Sequence, residues 1–206
     1  AGALNAASLA CHAHRLRTGV RLLEYVWKNI SSDQIYTPQS NKLLGSASIM
    51  LLSLMRTKDT NVPRSLLDNS PLLDLLQRVR KLDKIQKNID KGLLDALSIT
   101  TSAYSTGESV SFYQGMKGLS DWAGPHRIGR RAQIGYLHLM ASSALPVLFP
   151  AVKIDEQFYG DGAVRQLAPT STPIQLGASR LLVIGVSGNR SKTPVENTVA
   201  AAPSIS

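Results

Sequence analysis

Apolar and polar residues alternate along this chain with two different periods, and the change of period divides it into a helical front and a strand-rich middle. From Ala3 to about Ala13 small and apolar residues run together, which suits a closely packed helix. Between Val20 and Ile30, Leu23, Val26, Trp27 and Ile30 recur at helical spacing, which predicts an amphipathic helix with that stripe in the core. Ile35 to Pro38 reads as a short extended piece ended by proline. The most apolar stretch, Leu43 to Met55, lies between Lys42 and Arg56. It is too short to cross a bilayer as a helix, which takes roughly 17 to 25 apolar residues. A buried helix and a helix meeting a lipid surface both fit it. Next, Leu72, Leu73, Leu75, Leu76 and Val79 share a helix that starts at Pro71, with Asn69 or Ser70 as its cap. The mixed-charge run from Arg78 to Lys91 predicts a short amphipathic helix with a basic outer face.

The period then becomes two. Asp95 to Thr101 and Ser109 to Tyr113 alternate around a turn at Thr106-Gly107-Glu108, the pattern of a β-hairpin. Gly115 to Arg131 is glycine-rich and basic without clear period, and reads as a mobile loop over a site or a long connection. Ala132 to Leu145 suits a helix that Pro146 and Pro150 end. Ala151 to Ile154 is strand-like, and Asp155-Glu156-Gln157 a turn. Pro173 to Gly177 suits a short helix. Arg180 to Val186 is nearly all apolar, as a parallel strand covered on both faces would be. From Ser187 the pattern fades, and residues 191–206 are expected to form a disordered or interrupted tail after a single domain over 1–190.

Composition changes this picture little. With 206 residues, 43% of them hydrophobic, one domain with a sizeable core is the default. The single cysteine, Cys11, rules out an intrachain disulfide framework and reads as a small core residue. A net charge of +9 favours polyanions. Aromatic residues are only 5% and no recognition motif for nucleic acid is present, so an anionic lipid surface fits the charge better. A non-catalytic basic module for membranes or nucleic acid is the competing reading.

The candidate chemistry centres on Phe158-Tyr159-Gly160-Asp161-Gly162-Ala163. It places a carboxylate on a tight turn, with glycines on both sides that let another backbone or a substrate come close. A carboxylate held so is a common general base, although Gly-Asp-Gly is also ordinary turn chemistry. The first residues offer a second hint. Ala1 and Gly2 suit the start of a packed helix, and equally the last two positions of a Gly-x-Ser-x-Gly nucleophile elbow. In that case the nucleophile is the residue just before Ala1. His12 and His14, two positions apart, do not share a helix face and make poor joint metal ligands. His138 invites a Ser-His-Asp reading, but its helical segment reads as packing.

Ala1 to Ala6, Ala141-Ser142-Ser143-Ala144-Leu145-Pro146 with the residues on to Pro150, and Asp161-Gly162-Ala163 together resemble the patatin-like phospholipases. Leu66 to Leu72 and Ile99 to Gly107 look like further segments of that family, so the resemblance covers nearly the whole chain. It implies an α/β fold, a three-layer α/β/α arrangement with a mainly parallel central sheet, truncated at both ends. It also implies a lipid acyl hydrolase of the phospholipase A or lysophospholipase type, using a Ser-Asp dyad without histidine. Asp161 matches the family's aspartate. Its serine and its glycine-rich oxyanion loop match nothing in the sequence given, so the 206-residue chain is expected to be inactive by itself. The implied partners are a phospholipid or other acyl-ester lipid and a peripheral anionic membrane surface, with no nucleic acid, no cofactor and no metal. The implied location is cytoplasmic or peripheral to a membrane.

Overall fold

The structure is a computed structural model, and it describes residues 2–38, 65–79, 81–165 and 170–185. The apolar stretch from Leu43 to Met55, Arg80, Val186 and the tail expected over 191–206 lie outside the described residues. The helices are α1 (Gly2–Cys11), α2 (Leu16–Asn29), α3 (Ser70–Val79), α4 (Asp83–Asp90), α5 (Tyr136–Ala141) and α6 (Ser171–Gln175). The strands are β1 (Thr37–Pro38), β2 (Leu67–Asp68), β3 (Ala96–Ala103), β4 (Ser109–Gly115), β5 (Trp122–Gly124), β6 (Arg127–Arg131), β7 (Val152–Ile154) and β8 (Gln157–Asp161).

Strands β1 and β2 pair with each other, and the other six form one sheet in the order β5-β6-β4-β3-β8-β7. The expected hairpin is present: β3 and β4 pair antiparallel, with Ile99 opposite Phe112 and Thr101 opposite Val110. The expectation of a mainly parallel sheet is not met among the described residues. Only β4 and β6 run parallel, and the β3–β8, β5–β6 and β7–β8 pairs are all antiparallel. For β5–β6 and β7–β8 the physical reason is the short connection, since a two-residue turn such as that at Asp155 can join only antiparallel neighbours. Asp155 makes this turn with a left-handed φ of 52°.

Opposed residues of paired strands share a face, so Leu97, Ile99, Thr101 and Ala103 of β3 line up with Val110 and Phe112 of β4. That face carries the core. Helix α1 packs against it with Ala7, Ala10 and Cys11, α4 with Ile85 and Ile89, and α5 with Leu139, Met140 and Ala141. Each fully buried large aliphatic side chain here contributes about 1.5–3 kcal/mol. Cys11 is buried in this layer, as a small core residue should be. Asn88 joins two of the helices, donating from Nδ2 to the Ala10 carbonyl at 2.7 Å. The opposite face is polar, with Ser98, Thr100 and Ser102 on β3, and α6 reaches it through Thr172, whose hydroxyl lies 2.9 Å from that of Ser111.

Several local expectations are corrected. Gly115 to Arg131 is not a loose loop: it contains β5 and β6, and Arg131 pins the intervening turn. The Arg131 guanidinium donates to the carbonyls of Gly115, Met116 and Leu119, at 2.9, 3.2 and 2.6 Å. Its own N–H donates to Asp121 at 2.7 Å. No period marked these strands because β6 is only five residues long and owes its place to its parallel neighbour β4. Helix α3 begins at Ser70, directly after Asn69, whose carbonyl accepts the Leu72 N–H at 3.1 Å. The Asp68 carboxylate accepts from both the N–H and the hydroxyl of Ser70, at 3.0 and 2.7 Å. Arg180 to Ile184 forms no strand: Leu182, Val183 and Ile184 are 89%, 69% and 81% exposed and no described strand pairs with them. Helix α2 does not bury its stripe either. Gly19 is its only buried residue, Trp27 is exposed, and Leu23, Val26 and Ile30 are half-buried. Those side chains line a cleft instead of filling the core.

Candidate active site

Asp161 is the last residue of β8, opposite Thr101 of β3, and so on the face that α1, α4 and α5 cover. It is a strand end entering a 3₁₀ turn (Gly162–Val164), not the middle of a tight turn. Three bonds fix its backbone and carboxylate. Its N–H donates to the Ala144 carbonyl at 2.9 Å. Its own carbonyl accepts from the Ser102 hydroxyl at 2.9 Å. One carboxylate oxygen, Oδ1, accepts from the Ala163 N–H at 2.8 Å. That last bond caps the turn, and it leaves Oδ2 without a hydrogen bond among the described residues. The carboxylate is half-buried and held at one oxygen.

Both flanking glycines are demanded by packing rather than by unusual torsions. A Cβ at Gly160 would come within 2.8 Å of the Tyr104 hydroxyl. A Cβ at Gly162 would collide with the carbonyl of Thr100. The close approach expected of these glycines is therefore to the neighbouring strand and to Tyr104.

The Ala141–Pro150 segment meets this site. Helix α5 ends at Ala141, and Ala144 three residues on supplies the carbonyl that holds Asp161. The helix expected to reach Leu145 is thus short. Beyond it, Val147 adopts a left-handed φ of 70°, uncommon for a β-branched residue. The Val147 and Leu148 carbonyls accept from the N–H groups of Leu66 and Leu67, at 3.0 and 2.9 Å.

His138 stands apart from this carboxylate chemistry. Its Nδ1 accepts the Gly135 N–H at 3.0 Å, and its ring packs edge-on against Phe112 at 4.7 Å. Burial, outweighing the opposing pull of the Asp155 charge, holds its pKa below the ordinary 6.5. These are the surroundings of a packing histidine. His12 and His14 differ from the expectation, since their rings stack with centroids 6.4 Å apart. The helix breaks between Cys11 and Leu16, so helical spacing no longer separates them. Among the described residues no group of three His, Cys, Asp or Glu side chains is placed to hold a metal ion.

The second feature is an apolar cleft of about 330 Å³ between α1, α2 and α3. Leu4 and Ala7 of α1 form one wall, Leu23 and Val26 of α2 another, and Leu72 and Leu76 of α3 the third. Leu139 of α5 also reaches it, which connects the cleft to the helix that leads to Asp161. Sequence reasoning missed the cleft. Its signal was the helical stripe on α2, read there as core.

Set beside known proteins, residues 1–174 match the model of one family, described as patatin-like phospholipase. The chain belongs to the patatin-like phospholipases. No curated protein and no solved structure matches it. Members of this patatin-like family are serine hydrolases of lipid esters, so lipid acyl hydrolysis on a phospholipid substrate is the activity that membership implies. The match ends within α6, after Asp161, Gly162 and Ala163 and short of the exposed run at Leu182. Of the residues expected at the patatin-like site, the structure gives Gly2 as the first residue of α1 and Asp161 as the end of β8, while Ala1 lies outside the described residues. No helix among the described residues is long and apolar enough to cross a membrane.

Proposed function

We propose that this chain carries the base of a phospholipase A or lysophospholipase type of acyl hydrolase, in which Asp161 works with a serine directly N-terminal to Ala1. Ala1 and Gly2 are then the end of the nucleophile elbow, and Asp161-Gly162-Ala163 the motif that presents the base. The observation that carries this reading is the state of Asp161: one oxygen tied to the Ala163 N–H, the other uncommitted among the described residues, on the sheet face that α1 occupies.

The chemistry follows from that arrangement. The serine hydroxyl gives its proton to Asp161 as its oxygen bonds to the ester carbonyl carbon. An isolated carboxylate is a weak base at neutral pH, so its placement against the hydroxyl matters more than its basicity. The carbonyl oxygen takes the negative charge and needs N–H donors. Helix α1 offers the positive end of its dipole, and its first turn holds no acidic residue to cancel it. The tetrahedral intermediate collapses, the C–O bond to the alcohol breaks, and Asp161 returns the proton to that alcohol. Water then attacks the acyl-enzyme, Asp161 takes its proton and passes it to the serine, and the fatty acid leaves.

The test is Asp161→Asn in the parent protein that carries the elbow serine. Asparagine still accepts the Ala163 N–H, so the fold is expected to hold. Phospholipid hydrolysis is expected to fall about 10²–10⁴-fold, the usual worth of a general base. An unchanged rate sinks the dyad, as does a residue other than serine before Ala1 when the parent gene is sequenced across that junction.

A further inference from the structure

The cleft between α1, α2 and α3 has no part in the proton transfers above, yet its chemistry is specific. Among the described residues no Asp, Glu, Lys, Arg or His lines it. Among the described residues its three amide side chains each have one of their two polar groups engaged. Asn5 Oδ1 accepts from the Trp27 indole N–H at 2.8 Å. Asn29 Nδ2 donates to the Tyr25 carbonyl at 2.7 Å. Gln34 Oε1 accepts from the Ser31 N–H at 3.2 Å. A ligand entering here meets mostly apolar walls and no charged side chain among the described residues, which rewards apolar surface and penalises charge. At about 330 Å³ the cleft lies at the lower end of the size range of ligand sites. One of its walls is the first two turns of α1, from Leu4 to Ala7.

We infer that this cleft binds the fatty-acyl chain of the lipid, with Leu23 and Val26 on one side and Leu72, Leu75 and Leu76 on the other. The choice of an acyl chain as occupant rests on the lipid-hydrolase reading. The lack of charged side chains among its described lining residues supports it independently. The arrangement also accounts for α2. A helix with a regular apolar stripe leaves that stripe half-buried because the stripe faces a ligand space.

Trp27 lines the cleft and is one of only two tryptophans, the other being Trp122 on β5. In a Trp122→Phe background Trp27 therefore reports on the cleft alone. The probe is a bromine-labelled long-chain fatty acid, kept below the concentration at which it forms micelles. Saturable quenching of Trp27 is expected, and Leu23→Asn or Leu75→Asn should each weaken it about tenfold or more. Leu182→Asn, on the exposed run outside the cleft, should leave it unchanged. Using two cleft variants guards against one that fails to fold, which circular dichroism would show. The proposal is overturned by absence of quenching, or by quenching that neither folded cleft variant weakens. It is equally overturned if quenching appears only once Leu43 to Met55 is replaced by a glycine-serine linker, since the chain itself then occupies the space. Asp161→Asn should not alter quenching. Loss of the dyad reading and loss of the cleft reading are thereby separable.

Discussion

The end of β8 and the cleft beneath α2 are built by opposite means. Around Asp161 each constraint involves main-chain atoms. Its N–H is held by Ala144, its carbonyl by Ser102, and Gly162 sits against the main chain of Thr100. Around the cleft the walls are mainly side chains on three separate helices, and a hydrogen bond from Trp27 to Asn5 ties α1 to α2 at its rim. A catalytic group must be fixed to a fraction of an ångström, and several hydrogen bonds to its main chain do that. A space for a flexible chain needs only apolar walls of suitable size, which several leucines and valines can supply interchangeably.

This contrast can be broken by substitution. Gly162→Ala should be the most damaging small change in the molecule, because the new methyl meets the Thr100 carbonyl, which cannot move without disturbing β3. A loss of about 3 kcal/mol is expected in urea unfolding, at the upper end for overpacking. Val26→Ala on the cleft wall removes two methyls from a half-buried site and should cost about 1 kcal/mol or less. Equal losses would show that the cleft wall is as tightly packed as the strand end.

His138 sharpens the contrast on the side nearest the core. Burial lowers its folded pKa below 6.5, so the unfolded chain binds the proton first on acidification. Its contribution to stability is complete above the unfolded value and is lost as pH falls from about 6.5 through the depressed folded value. His138→Gln, which can still accept the Gly135 N–H, should flatten that part of the stability–pH curve. A slope that survives the substitution assigns the pH dependence elsewhere. The smallest effect is expected at Leu182, whose side chain is almost fully exposed. Leu182→Ser should shift stability by no more than about 0.5 kcal/mol. A larger loss would show that this run is covered in solution.

Much of the fold could be read along the chain, and the failures share a cause. Helices α1 and α2, the β3–β4 hairpin and the β7 strand follow from local periodicity and turn residues. The β5 and β6 strands, the antiparallel character of the sheet and the Asp68–Ser70 hydrogen bonds depend on partners that local pattern does not name. Arg131 is the clearest case. It ends the basic, glycine-rich stretch that read as a loop or long connection, yet it holds three carbonyls of one turn and lies over the Tyr113 ring at 5.2 Å. The run at Leu182 failed in the opposite direction, since an apolar sequence forms a strand only where a neighbour offers it hydrogen bonds.

The sequence by itself determined the family and the identity of the candidate base, because Asp161-Gly162-Ala163 and the Ala141–Pro150 segment are local strings whose residue types survive without reference to the fold. Tertiary structure alone decided why both glycines are needed, which oxygen of Asp161 is committed, and that the α2 stripe faces a cleft instead of the core. Each of these depends on which distant atoms meet, Thr100 with Gly162 or Trp27 with Asn5. Periodicity along a chain says that a face is apolar; only the packing of other elements says what that face meets.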